Sequence, residues 1–108
     1  MATITPVVDT AAGTAVTFAA ATAGGDTVAT GGNTSTKFTV RNASGSAVTT
    51  TIAGVVPCSQ GAVHNTVVSC TAGVDTQIII PPQCISPTTG NAGITYSAVT
   101  SVTVAAFI

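Results

Sequence analysis

The feature that most limits how this chain can fold is a period-two alternation of threonine and valine, with almost no charged helix formers. Both residue types are β-branched, lose χ1 freedom in a helix and fit a pleated surface. Charged residues make up 5% of the chain, so no segment can oppose an apolar stripe to a charged helical face. In "TKFTVRN" Phe38 and Val40 point one way, and Lys37, Thr39 and Arg41 the other. "NASGSA" at 42–47 is a turn cluster. "AVTTTIA" then places Val48, Thr50 and Ile52 on one face, so 36–42 and 47–53 predict a hairpin. "AVHNTVVSC" at 62–70 and "DTQIIIP" at 75–81 predict two more strands, the second stopped by Pro81–Pro82. "GITYSAV" at 93–99 and "SVTVAAF" at 101–107 predict a closing pair, with Ile94, Tyr96 and Ala98 on one face. Weaker strands are expected at 14–20 and 26–30, around Gly24–Gly25.

About eight short strands without βαβ alternation predict an all-β fold. The expected form is an antiparallel β-sandwich of jelly-roll or Ig-like type, one domain over 14–108. "MATITPVVDTAAG" at 1–13 stands apart. Pro6 and Gly13 bound a short apolar stretch there, which predicts an extended arm that contacts a neighbouring subunit.

The charge deficit excludes classes of partner. The net charge is −1, and Lys37 and Arg41 are the only Lys and Arg, so no basic footprint for nucleic acid can form. The same shortage argues against attachment to an anionic membrane, and no apolar run is long enough to span one. The start lacks the basic and apolar regions of a secretory signal, which predicts a protein kept in a cytoplasm or one whose leader was removed. A surface so poor in charge is weakly protected from association and suits a molecule largely covered in an assembly, where like charges on identical neighbours would repel.

Candidate chemistry is sparse. Cys58, Cys70 and Cys84 with His64 are the residue types of a zinc site, but the usual tight cysteine pair is missing. Any bridge between two of the three cysteines would leave one thiol over. Free buried thiols are the alternative, and the missing signal favours them. Asp9, Asp26 and Asp75 lie far apart; Asp26 and Asp75 are expected at turns. "GGDTVATGG" has glycines but no Walker lysine. No catalytic, cofactor-binding or metal-ligating residue is therefore assigned. The candidate partner contacts are Ile4, Val7 and Val8 in the arm and Lys37 and Arg41 on one strand face.

Several stretches together resemble small structural proteins of tailed bacteriophage heads. They are the opening "MATITPVVDTAAGTAVTFAAATAGGDTV", "KFTVRNASGSAVTTTIA", "PCSQGAVHNTVV" and "ITYSAVTSVTVAAF". The chain looks most like a head decoration, or cement, protein. The resemblance implies a non-enzymatic β-sandwich on the outer surface of a shell of major capsid protein. It also implies a symmetric homo-oligomer such as a trimer, a virion location after synthesis in the host cytoplasm, and no cofactor. A cell-surface or adhesive β-module binding glycan or protein is the alternative. Such a module would call for an export signal and aromatics for stacking, whereas Tyr96 is the only tyrosine and tryptophan is absent.

Overall fold

The structure, a computed structural model, describes residues 2–7, 11–13, 17–32, 36–57 and 61–108. Its strands are β1 Ala2–Ile4, β2 Ala19–Ala20, β3 Asp26–Ala29, β4 Lys37–Asn42 and β5 Val48–Ile52, followed by β6 Thr66–Cys70, β7 Val74–Ile79, β8 Asn91–Tyr96 and β9 Val102–Phe107. A single 3₁₀ turn, Pro82–Cys84, is the only helical element among the described residues. Two sheets face each other in the orders β1-β3-β8-β5-β6 and β2-β9-β4-β7. Every pairing between strands is antiparallel except β1 with β3. The expected all-β sandwich is the fold.

The alternation does what the strand period requires. Phe38 and Val40 of β4, Val102 and Val104 of β9, Val48 and Ile52 of β5, Val28 of β3 and Ile94 of β8 all turn inward and are essentially inaccessible. Burying each stabilises by about 1.5–3 kcal/mol relative to exposure. The isoleucine triplet splits by the same rule: Ile78 and Ile80 are in the core, whereas Ile79 points out and is 62% exposed.

Connectivity departs from the expected hairpins. β4 lies in one sheet and β5 in the other, and the same holds for β6 with β7 and β8 with β9. The segments 43–47, 71–73 and 97–101 are therefore arches between sheets, not turns within one. Ala98 lies beyond β8 and is exposed, so it does not share the inward face of Ile94. The physical reason sits at Asn42, a buried amide at the end of β4. Its Nδ2 donates to Ser46 O at 2.8 Å and to Cys70 O at 3.0 Å. Its Oδ1 accepts from the Ser44 N–H at 3.0 Å and from the Ser44 hydroxyl. The backbone adds Gly73 N–H to Asn42 O at 2.7 Å, and Ala43 N–H to Ser101 O at 2.9 Å. One residue and its neighbour thus tie all three arches together at one end of the sandwich.

The described part of the N-terminal segment does not stand apart. Ala2, Thr3 and Ile4 pair in parallel with Asp26, Thr27 and Val28, and Ile4 joins the core. The chain then crosses to the other sheet. The Val7 N–H donates to Ala106 O at 2.9 Å, and the Ile108 N–H donates to Val7 O at 3.0 Å. A parallel partner in β3 gives the short apolar run a place in its own domain, which composition alone does not reveal. At the far end, Gly54 runs so close to His64 that a Cβ would sit 2.0 Å from the His64 carbonyl oxygen. Only glycine lets the long connection between β5 and β6 fold back this tightly.

Asn42→Ala removes the amide that satisfies two carbonyls and one N–H, and should cost about 2–4 kcal/mol in denaturant unfolding. Asn42→Asp keeps the shape but cannot donate, so it should cost as much or more. A near-neutral Asn42→Asp would show that packing, not donation, holds the arches.

Candidate partner-binding surface

Four charged side chains fall among the described residues, and their placement divides the molecule. Lys37 and Arg41 of β4 and Asp75 of β7 project from the outer face of the four-stranded sheet, whereas Asp26 is buried. The outer face of the five-stranded sheet carries none. It is lined by Thr3, Thr27, Thr49, Thr51, Thr95, Ser69 and Val67, with Thr51 paired between Thr95 and Val67. That surface is neutral and hydroxyl-rich, with Val67 62% exposed at its edge.

The charged face reads across its strands in rungs. Lys37 lies between Ile79 and Phe107, Thr39 between Gln77 and Ala105, and Arg41 between Asp75 and Thr103. Arg41 is already engaged. Its Nε donates to Asp75 Oδ1 at 3.1 Å and its Nη2 to Asp75 Oδ2 at 3.2 Å. Its guanidinium carbon lies 4.0 Å from the centroid of the Phe18 ring. The hydrogen bonding it donates to Asp75 is the main reason the guanidinium is held above its ordinary pKa. Direct register across β4 and β7 makes this pair, so Asp75 belongs to a strand and not to the expected turn. A period-two reading could not find it, because cross-strand partners depend on which strands become neighbours. Lys37 is exposed and forms no ion pair among the described residues.

The other candidate contacts fare differently. Ile4 is a core residue, 8% exposed, so it is corrected from a partner contact to an internal one. Val7 is half-buried and held by the backbone of β9. Val8 lies outside the described residues, as do Asp9 and Cys58.

Cys70 and Cys84 are free and fully buried. The Cys70 sulfur is 3.5 Å from the Thr50 hydroxyl, and the Cys84 thiol donates to Ile52 O at 3.7 Å beside the Thr66 hydroxyl. Thr66 and Cys70 are the two ends of β6, so roughly 13 Å of strand separates the two sulfur environments. β6 and β7 lie in different sheets, so no hairpin brings Cys70 and Cys84 together. His64 is exposed in the β5–β6 connection, and no three His, Cys, Asp or Glu side chains converge among the described residues.

Asp26 is the one buried acid among the described residues. The Tyr96 hydroxyl donates to its Oδ2 at 2.7 Å, and the Thr22 N–H donates to the same oxygen at 3.2 Å. Asp26 thus closes the loop before β3, as turn chemistry suggests, and also ties β3 to β8. Gly25, with φ +96°, permits this bend; a Cβ there would sit 2.7 Å from Ile94 O. No comparison identifies the chain: it matches no family model, no curated protein and no solved structure. A function therefore has to be argued from these surfaces.

A groove of about 480 Å³ lies at the end opposite Asn42, lined by Gly31, Gly32, Pro82, Ile85 and the 86–90 loop. Its described lining offers hydroxyls and backbone groups and no titratable side chain. Its rim is set by the Thr30 hydroxyl, which donates to Gly90 O.

Burial, and then the hydrogen bond to Asp26, raises the Tyr96 pKa well above the ordinary phenol range. The folded protein keeps Tyr96 neutral where the unfolded chain would ionise it. This contribution is complete below about pH 10 and is lost as pH rises beyond that. As Tyr96 is the only tyrosine, phenolate absorbance should rise only well above the ordinary range, or together with alkaline unfolding. Tyr96→Phe should cost about 1–2 kcal/mol near neutral pH, by leaving Asp26 short of a donor, and should flatten the alkaline decline. Early phenolate absorbance from a still-folded protein would show that the bond to Asp26 is not held.

Proposed function

We propose that this chain is a non-enzymatic structural protein of a bacteriophage virion. In this reading it decorates the capsid and stabilises it by binding the outer surface of the shell of major capsid protein. The observation that carries the reading is the neutral outer face of the five-stranded sheet, with all the exposed charge of the described residues on the opposite face. A surface of hydroxyls and scattered valine can lie against a protein shell in many identical copies without accumulating repulsion. Each copy need add only a modest interface, since many together reinforce a lattice. The likeness of the opening, the "VRNASGSAVTTTI" run and the closing strands to head decoration proteins supports the same class. The buried thiols and the Asp26–Tyr96 pair serve the interior, which leaves the faces as the working surface.

Attachment of this kind rests on apolar burial, edge pairing and hydroxyl hydrogen bonds. A standard interface of ~800 Å² per partner can hold on such terms, though ordering costs offset much of the gain. Arg41 is committed to Asp75 and Phe18, which leaves Lys37 as the one exposed cation without an ion pair among the described residues. The chain is expected in purified particles at a fixed ratio to the shell protein, measured by quantitative mass spectrometry. Occupancy should persist from ~0.05 to ~1 M salt, because little charge is available to screen. Its absence from particles would end the proposal, and release by salt would end the apolar account of attachment.

A further inference from the structure

The two long sides of the sandwich are unequal. On one, the chain covers its own edges: β1 lies at the end of one sheet, and Val7 with β2 at the end of the other. On the opposite side β6 and β7 end the two sheets, and neither has a further neighbour among the described residues. Three of the six large apolar side chains left exposed among the described residues lie on these two strands: Val67 on β6, and Val74 and Ile79 on β7.

The hydrogen-bond phase shows which backbone groups β7 presents. The Ile80 N–H donates to Thr36 O at 3.0 Å, and Thr36 and Ile80 stand in the register of β4 with β7. In an antiparallel ladder bonded pairs alternate, so Thr76 and Ile78 bond inward to β4. Asp75, Gln77 and Ile79 direct their N–H and C=O groups outward, and all three residues are exposed. The usual protections of an edge are a lysine, a proline or a bulge within the strand. Val74–Ile79 contains no lysine and no proline and keeps unbroken register with β4. Its one charge, Asp75, is already paired with Arg41 of the same chain.

We propose that β7 is the self-association edge of the protein, pairing antiparallel with β7 of a second copy about a two-fold axis at Gln77. The outward triplet is self-complementary in this register. Gln77 exchanges backbone bonds with Gln77 of the second copy, and Asp75 and Ile79 exchange them with Ile79 and Asp75 of that copy. No acid meets an acid, the exposed Ile79 gains a neighbour, and the two four-stranded sheets become one continuous sheet. The isologous arrangement is the commonest closed form for a soluble homo-oligomer. The proposal rests on the geometry of the β7 edge and goes beyond the functional reading, which concerns the shell. It is tested in solution without particles, so the two can fail separately.

Sedimentation velocity of the full chain across a dilution series should show a monomer–dimer equilibrium. Gln77→Pro deletes the N–H at the centre of the pairing. Proline is tolerated on an edge strand where its N–H position faces solvent, so the monomer should keep its circular dichroism spectrum while dimer affinity falls at least about tenfold. Gln77→Lys and Gln77→Glu, which leave the backbone free to fold, place like charges directly opposite and should each weaken the homodimer several-fold. Mixed together, these two variants should recover a heterodimer. A wild-type chain that stays monomeric at every concentration overturns the proposal. So does an oligomer that survives Gln77→Pro in folded form, or one indifferent to both charged variants.

Discussion

The fold depends on one buried amide. Asn42 sits where three inter-sheet connections converge, and its four side-chain hydrogen bonds fix two of them directly. The third is fixed by the neighbouring Ala43 N–H to Ser101 O. An apolar residue there would leave the buried Cys70 carbonyl without this donor, at about 1–3 kcal/mol, and would release the Ser46 carbonyl at the rim. That asymmetry makes the site specifying. The aliphatic core would tolerate many arrangements of similar volume, but the set of bonds made by Asn42 closes only when β4 and β5 lie in different sheets. Asn42 selects the topology, and the valines and isoleucines stabilise it.

The few charged residues are used in the same economical way. Asp26 is buried, but it accepts from Tyr96 and from the Thr22 backbone, so its burial joins two strands and closes the loop before β3. Arg41 meets Asp75 in direct cross-strand register and lies over Phe18, which immediately precedes β2. At the surface the ion pair itself contributes little. Its larger effect is positional: it neutralises the sole acid of β7 and seats the chain leading into β2 on the sheet. Among the described residues, what is left outside is nearly uncharged.

The alternation of Thr and Val made the strands, their inward faces and the all-β class readable, because period two is a local property. The arches were not readable. "NASGSA" satisfies hairpin turn chemistry, and Phe38, Val40, Val48 and Ile52 point inward whether their strands pair edge to edge or face across a core. Only the long-range bond from Asn42 to Cys70 separates the two cases, and nothing near either residue in sequence marks it. The N-terminal strand escaped for a related reason. Three residues of β1 carry too little pattern to distinguish an arm from an edge strand, and the parallel partner lies more than twenty residues away. In the "CTAGVDTQIIIPPQC" stretch the pattern was legible but its consequence was not. Ile79 alternates outward as it must, yet its exposure matters only because β7 ends a sheet.

That edge brings the structural features together. A chain with so few charges has little left for guarding an exposed strand, since edge protection normally draws on lysine and on charges aimed inward. The protein closes one side of the sandwich with its own N-terminal segment, which crosses from β3 to β9 and keeps Ile4 in the core. The same solution is not applied to β6 and β7, where Val67, Val74 and Ile79 remain outside. Pro81 and Pro82 end β7 sharply, which limits how far any added strand could run and favours a short pairing of defined register over open-ended stacking. An unguarded edge that is short, neutralised and stopped by prolines is better suited to one specific neighbour than to aggregation. It is also the arrangement by which a weakly charged sandwich can form an assembly using backbone groups that every copy already carries.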